Sequence, residues 1–263
     1  MKKLLVVFAL IALVFASGTV QAKDWKKVRI GVEGAYPPFS YTTADGKLEG
    51  FDIDIAMALC KAMDAECTLV AQDWDGIIPA LLARKYDAII ASMSITEERK
   101  KKVAFTNKYY QTPAKFVAKK GSAQEFDTAG VAAATAGKKI GVQRATIHDN
   151  FITDKGGDGV EIKRYATQDE AYLDLAAGRV DMLLADSVAM SEGFLKKPEG
   201  ADYQFIGPDL TEVKYFGEGA GIACRKGDTD LVEKFNKAID QIRADGTYKA
   251  IQDKYFDFNV YGD

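Results

Sequence analysis

The sequence predicts an α/β protein of two lobes, each a mostly parallel sheet flanked by helices, and three observations lead there. After Trp25 the pattern runs strand, helix, strand, helix, strand; a second such cycle opens at Lys139; and two extended segments carrying Pro113 and Pro208 lie where the chain leaves each cycle. In the first cycle, residues 28–32, 68–71 and 87–92 are short apolar runs of strand type, and 51–63 and 74–83 have helical spacing. In the second, 139–142, 160–165 and 182–184 read as strands, Thr146 opens a helix, and 168–176 forms another. Residues 109–118 and 202–216 are the extended segments, 221–224 is strand-like, and 231–254 is helical with a break at Gly246. If that C-terminal part packs back on the first cycle, lobe 1 comprises 23–112 and 212–263 and lobe 2 comprises 113–211, with a cleft between them. The Ala- and Gly-rich run 122–139 reads in its early part as a surface connection.

The first residues point to export. Lys2 and Lys3 precede an apolar stretch at 4–16 that is short for a membrane span, and Val20-Gln21-Ala22 is a small-x-small cleavage site. The mature chain is expected to begin at Lys23, in the periplasm, without a lipid anchor because no cysteine follows the cleavage site. Roughly 240 residues then remain, enough for two lobes with full cores. In an oxidising compartment Cys60 and Cys67 are expected to bridge; the alternative is two buried small hydrophobes. Cys224, in an apolar run, is expected to be a buried free thiol. With one histidine and no CxxC motif, neither a metal nor a cofactor is expected, and a net charge of −3 argues against a nucleic-acid partner.

The chemistry-bearing segment is 86–106. An apolar strand ends in Ala91-Ser92-Met93-Ser94, and Thr96-Glu97-Glu98-Arg99 reads as a polar turn opening a helix. Strand ends in open α/β sheets are where ligands dock, and a guanidinium offers a two-donor fork to a carboxylate. The alternative is that Arg99 joins Lys100, Lys101 and Lys102 on a solvated helix start. Glu33 and Tyr36 follow the first strand, before the stiff Pro37-Pro38 turn, and Trp74 opens the second helix. Tyr36 and Trp74 are candidates to sandwich an alkyl chain or a flat cation, each being otherwise an ordinary packing aromatic. Thr146 stands at a helix N-terminus with Asp149 three residues on, and such termini attract carboxylates. Asp186 follows an apolar run, where the alternative role is to cap the amides of Ser187 or Met190. The glycines at 217, 219 and 221 lack the dinucleotide-binding pattern and read as a turn before a strand.

Taken together, Tyr36-Pro37-Pro38-Phe39, Gly50-Phe51-Asp52-Ile53-Asp54, the Cys60/Cys67 spacing, Ser94-Ile95-Thr96-Glu97-Glu98-Arg99, Gly141-Val142-Gln143, Gly178-Arg179-Val180-Asp181, Ser191-Glu192-Gly193-Phe194 and the ending from Tyr255 to Gly262 resemble periplasmic polar-amino-acid-binding proteins of ABC transporters. The likeness spans essentially the whole chain and is nearest to the lysine/arginine/ornithine- and histidine-binding group. It implies a periplasmic-binding-protein (Venus flytrap) fold that closes on its ligand, a monomer, and a membrane permease as partner. Carried over, Arg99 holds the ligand α-carboxylate with main-chain help at Ser94 and Thr146. Asp186 accepts from the α-ammonium and Ser92 assists. Tyr36 and Trp74 stack on the side chain, and Glu33 meets its distal charge. Ala91, Met93, Gln143 and His148 complete the implied lining.

Ala91 and Ile147 stand where that group commonly has hydroxyl side chains. Trp74, Ala91 and Gln143 look like opine-binding relatives, while Glu33 and Gln143 also look like arginine binders. The expected ligand is therefore arginine, then ornithine or lysine, with histidine or the opines octopine and nopaline as the alternative. His148 either reaches the ligand or is a partly exposed surface residue. A reading of another class is a cyclohexadienyl or arogenate dehydratase on the same fold. That enzyme needs a tuned proton donor, for which Glu33 is the spare carboxylate, and no nucleophile elbow, metal set or P-loop is present.

Overall fold

The computed structural model describes residues 23–122 and 125–262, so the signal segment expected at 1–22 lies outside the described residues. In chain order, β1 (Lys27–Val32) leads into a small antiparallel sheet of β2 (Ala35–Tyr36), β3 (Ser40–Thr42) and β4 (Leu48–Glu49). Next come α1 (Phe51–Ala62), β5 (Glu66–Ala71), a 3-10 turn at Trp74–Gly76 running into α2 (Ile77–Leu82), β6 (Ala88–Ile89), α3 (Glu97–Lys100) and β7 (Ala104–Tyr110). The chain then makes β8 (Ala114–Lys119), α4 (Val131–Thr135), β9 (Lys139–Gln143), α5 (Ile147–Lys155), β10 (Glu161–Tyr165), α6 (Gln168–Ala176) and β11 (Met182–Asp186). It continues through α7 (Ser187–Met190) and β12 (Tyr203–Leu210), and returns with α8 (Val213–Phe216), β13 (Ala220–Cys224), α9 (Thr229–Ala244) and α10 (Thr247–Tyr255).

The two large sheets have the orders β5-β1-β6-β13-β7 and β10-β9-β11-β8-β12. In the first, β5, β1 and β6 are parallel while β13 runs against both its neighbours, so four of the five strands share a direction. The second repeats that plan with β8 as the reversed strand. Each reversed strand is the one that follows a crossing between the sheets. Both faces of each sheet are buried, and alternation sorts the side chains: Ile30, Ala88, Ile90 and Cys224 face one cluster of the first sheet, and Ile89 and Ala223 the other. In the second sheet Phe116, Ile140 and Leu184 face one side, Val117 and Leu183 the other.

Local chemistry sets the elements that carry the site. α1 begins where Gly50 adopts φ 127°, with its missing Cβ position 2.4 Å from the Phe39 carbonyl oxygen, so only glycine fits there. The first amides of α1 donate to the preceding turn, Phe51 to the Pro38 carbonyl at 3.0 Å and Asp52 to Phe39 at 2.7 Å. Phe51 is then the hub of an aromatic cluster with Phe39, Tyr109, Tyr110, Tyr248 and Phe256. α6 opens on a capping box, Thr167 with Glu170.

Two segments differ from the sequence expectation, and the later part of 122–139, given no assignment there, joins a core. The strand expected at 87–92 pairs only at Ala88–Ile89, because the chain turns at Ser92, whose φ is 52°. The extended run at 202–216 ends as the helical turn Val213–Phe216, whose Tyr215 and Phe216 are buried against Phe151. Within 122–139, Val131 and Thr135 are buried, which makes α4 part of the second core.

Cys60 and Cys67 form a disulfide joining the last turn of α1 to β5, and Cys224 is a buried free cysteine. Opening so short a loop is expected to cost about 2 kcal/mol of stability through the unfolded chain's added freedom. Urea unfolding of the Cys60→Ser/Cys67→Ser protein checks this: its midpoint should fall, and an unchanged midpoint would contradict the role given to the bridge.

Candidate functional site

Arg99 is placed by a strand from far away in sequence. Ile95 donates to the Gly219 carbonyl at 2.8 Å and Gly221 to the Met93 carbonyl at 3.0 Å, so Ser94 is clamped opposite Ala220. In that pairing the amide and carbonyl of Ser94 itself point away from Ala220. Its carbonyl accepts from Arg99 Nη1 at 3.1 Å. Thr96 caps α3 by accepting from the Arg99 amide at 3.3 Å. The half-buried guanidinium lies over the Trp74 ring, 5.1 Å from its centroid, and among the described residues no carboxylate comes within 4.0 Å of it. Burial lowers its pKa to about 10, well above neutrality, so it stays charged.

Across the cleft stands the N-terminus of α5. The Thr146 hydroxyl donates to the Gln143 carbonyl at 2.7 Å and accepts from the Asp149 amide at 3.2 Å, so it is spent on the cap. Asp149 reaches one residue further back than a capping box requires, accepting from the Ala145 amide at 3.2 Å and from Arg164 Nε at 2.8 Å. The amides of Ile147 and His148 occupy the first turn, where no intrahelical acceptor exists. His148 is buried, which overturns the alternative of an exposed surface residue; packed near Phe216, it is held neutral as burial and the nearby Arg99 lower its pKa to about 3.

Two carboxyls also line the cleft. Glu33 Oε1 accepts from Gln143 Nε2 at 2.5 Å, and burial raises its pKa to about 7, offset in part by that hydrogen bond. Asp186 Oδ1 caps α7, accepting from the Val188 amide at 2.9 Å and the Ala189 amide at 3.0 Å. Oδ2 accepts from the Thr112 hydroxyl, and burial raises the pKa of the group. The capping role weighed from sequence is thus real for one oxygen, though on different amides.

Glu33, Tyr36, Trp74, Ala91, Ser92, Ser94, Arg99, Gln143, Thr146 and His148, with Ile147, line one cavity of about 30 Å³. A chamber of about 320 Å³ shares Tyr36, Ser92, Ser94 and His148 with it and adds Asp186 and both crossing segments. Met93 is not among the residues lining either space: fully buried in the core of the first sheet, it backs a groove behind Trp74 and Arg99. Three contacts tie the two sides together here. Glu33 meets Gln143, Trp74 Nε1 donates to the Ala145 carbonyl at 3.1 Å, and Arg144 Nε pairs with Asp75 Oδ2 at 2.6 Å.

Sequence reasoning missed Asp52, which is fully buried beneath the cavity with its Oδ2 accepting from the Ser92 hydroxyl at 2.9 Å. The available signal was its position on the 52, 55, 56, 59 stripe of α1, otherwise Ile55, Ala56 and Leu59. Among the described residues, no group of three or more potential ligands is arranged to hold a metal ion, and no helix is long and apolar enough to cross a membrane.

The profile of bacterial extracellular solute-binding proteins, family 3, matches residues 28–258. An L-arginine-binding protein of Pseudomonas aeruginosa is 54% identical over 263 residues, covering 100% of this chain and 99% of its own. The lysine/arginine/ornithine-binding periplasmic protein of Escherichia coli is 43% identical over 264 residues, covering 100% of both. A solved Salmonella typhimurium periplasmic binding protein of high arginine specificity superposes with a TM-score of 0.79 at 34% identity, covering 88% of this chain and 99% of that one.

The raised pKa values of Glu33 and Asp52, both about 7, have a consequence for stability. A carboxyl that holds its proton more tightly when folded stabilises the fold fully below its unfolded pKa and loses that contribution as pH rises through the folded value. The ligand-free protein is therefore expected to melt at lower temperature at pH 8 than at pH 5, and Glu33→Gln to flatten that slope. Scanning calorimetry across this range checks it; the same slope in both proteins would contradict the buried, proton-holding state of Glu33.

Proposed function

The chain belongs to the bacterial extracellular solute-binding proteins, family 3, and from that premise we propose that it captures a cationic L-amino acid in the periplasm, arginine ahead of ornithine and lysine, and delivers it to an ABC transporter permease. The observation that carries this reading is the set of unlike charges lining the cleft: the Arg99 guanidinium, the α5 N-terminus and Glu33 line one cavity, and Asp186 lines the chamber that adjoins it. A zwitterion with a second positive charge matches that layout. Arg99 takes the α-carboxylate in a two-donor fork with main-chain amides at Ser94 and Thr146 beside it, and Asp186 Oδ2 takes the α-ammonium. Tyr36 and Trp74 flank the side chain, and Glu33 meets its distal charge and ionises as it does so, because a cation left buried without a partner costs several kcal/mol.

The names of the relatives support the same ligand class, since those compared bind arginine or the lysine, arginine and ornithine set. The mature protein starts at Lys23 and works as a monomer, with 23–112 and 212–263 as lobe 1 and 113–211 as lobe 2. The contacts of Glu33, Trp74 and Asp75 with residues 143–145 are those that domain closure would make.

Isothermal calorimetry with arginine, ornithine, lysine and neutral amino acids tests the assignment. Arg99→Ala is expected to abolish binding of every amino acid, since it removes the group common to all. Glu33→Gln is expected to weaken the cationic ligands by about tenfold or more, the scale of one charge-assisted contact, and to spare neutral ones. Arginine binding unaltered by Glu33→Gln would overturn the side-chain assignment.

A further inference from the structure

Asp52 is a buried acid that the binding reading leaves without a task. Its position on the apolar stripe of α1 calls for a hydrophobic residue, and a carboxylate persists in such a place only where donors meet it. Both oxygens are met: Oδ1 accepts from the Tyr109 hydroxyl at 2.8 Å and Oδ2 from the Ser92 hydroxyl at 2.9 Å. Tyr109, having given its one proton to Asp52, accepts from the Ser92 amide at 3.0 Å. Ser92 is thereby held at its amide and at its hydroxyl, in the left-handed conformation, φ 52°, that residues other than glycine rarely adopt.

A serine hydroxyl has one proton and two lone pairs, so with its proton directed to the ionised Asp52 carboxylate, Ser92, which also neighbours the Tyr110 hydroxyl, offers the cavity it lines acceptor capacity alone. An ammonium group is a donor only. We propose that Asp52 is a positioning residue for the α-ammonium of the ligand: by taking the Ser92 proton it turns that hydroxyl into an obligate acceptor, a second one beside Asp186. This inference rests on the amino-acid-binding reading given above. Removing Asp52 frees the hydroxyl to rotate and present its proton to the ammonium, which loses the contact.

The test is a calorimetric cycle with L-arginine on the wild type, Asp52→Ala, Ser92→Ala and the double variant. Each single substitution is expected to weaken binding about tenfold, and the double variant to bind within about twofold of Ser92→Ala, because Asp52 acts through that hydroxyl. A full loss from Asp52→Ala in the Ser92→Ala background, or no loss in the wild type, overturns the proposal. If Asp52→Ala shows no cooperative melting transition, Asp52→Asn, which keeps the side-chain shape, takes its place in the cycle under the same criteria. The second readout is 5-guanidinopentanoate, arginine without its ammonium, whose affinity should be indifferent to the Asp52 substitution; an equal loss for both ligands would mark a merely structural role and overturn the proposal. A wild type that binds no amino acid would overturn the binding reading and this inference together, whereas a binding wild type with uncoupled Asp52 and Ser92 overturns this inference alone.

Discussion

The Arg99 guanidinium is half-buried against the Trp74 ring, donates to the Ser94 carbonyl, and meets no carboxylate within 4.0 Å among the described residues. Taking a cation out of water without an anionic partner costs several kcal/mol, and a main-chain carbonyl and an indole face return only part of that. The surroundings increase the demand for an anion: His148 nearby stays neutral, and the N-terminus of α5 adds further positive character. The acidic groups that would relieve Arg99 are held elsewhere, Glu33 by Gln143 and Asp186 by the amides of α7. In the binding mode proposed above, the anion that Arg99 calls for arrives with a ligand that also carries positive charge.

The placement of these groups depends on the crossings between the two sheets. Ser94 is set by Gly219 and Gly221, which belong to the chain returning from the second sheet, and Asp186 is set partly by Thr112, which lies on the outgoing crossing. In the proposed binding mode, the groups that take the ligand's α-carboxylate and α-ammonium are therefore ones whose positions follow the crossings. A change in the angle between the sheets would alter both at once, together with the Glu33, Trp74 and Asp75 contacts that span the cleft. In the proposed binding mode, a ligand that touches both sides stabilises the arrangement in which they meet.

Much of this was legible in the sequence where local signals agree with the tertiary outcome. The helix at Gln168–Ala176 was readable from its spacing, and it starts on the Thr167–Glu170 capping box; the break at Gly246 was readable from the glycine, which takes a φ of 85°. Arg99 and Glu33 were singled out because turns after strands are where polar side chains converge, Thr146 because it starts a helix, and Gln143 through the resemblance; all four line one cavity. The rest was set by long-range packing. Ser92 looks like the end of a strand until Tyr109 and Asp52 fix its amide and hydroxyl. His148 looks like a surface residue of a short helix until Phe216 arrives beside it from α8. Met93, between the lining residues Ser92 and Ser94, turns the other way, into the core of the first sheet.

A crystal structure of the protein with L-arginine would put the role of Arg99 to the most direct test. The expected result is the α-carboxylate seated on the Arg99 guanidinium in two hydrogen bonds of about 2.8 Å each, with the ligand's other end toward Glu33. Arginine bound with its carboxylate elsewhere, and Arg99 still engaged only with the Ser94 carbonyl, would contradict it.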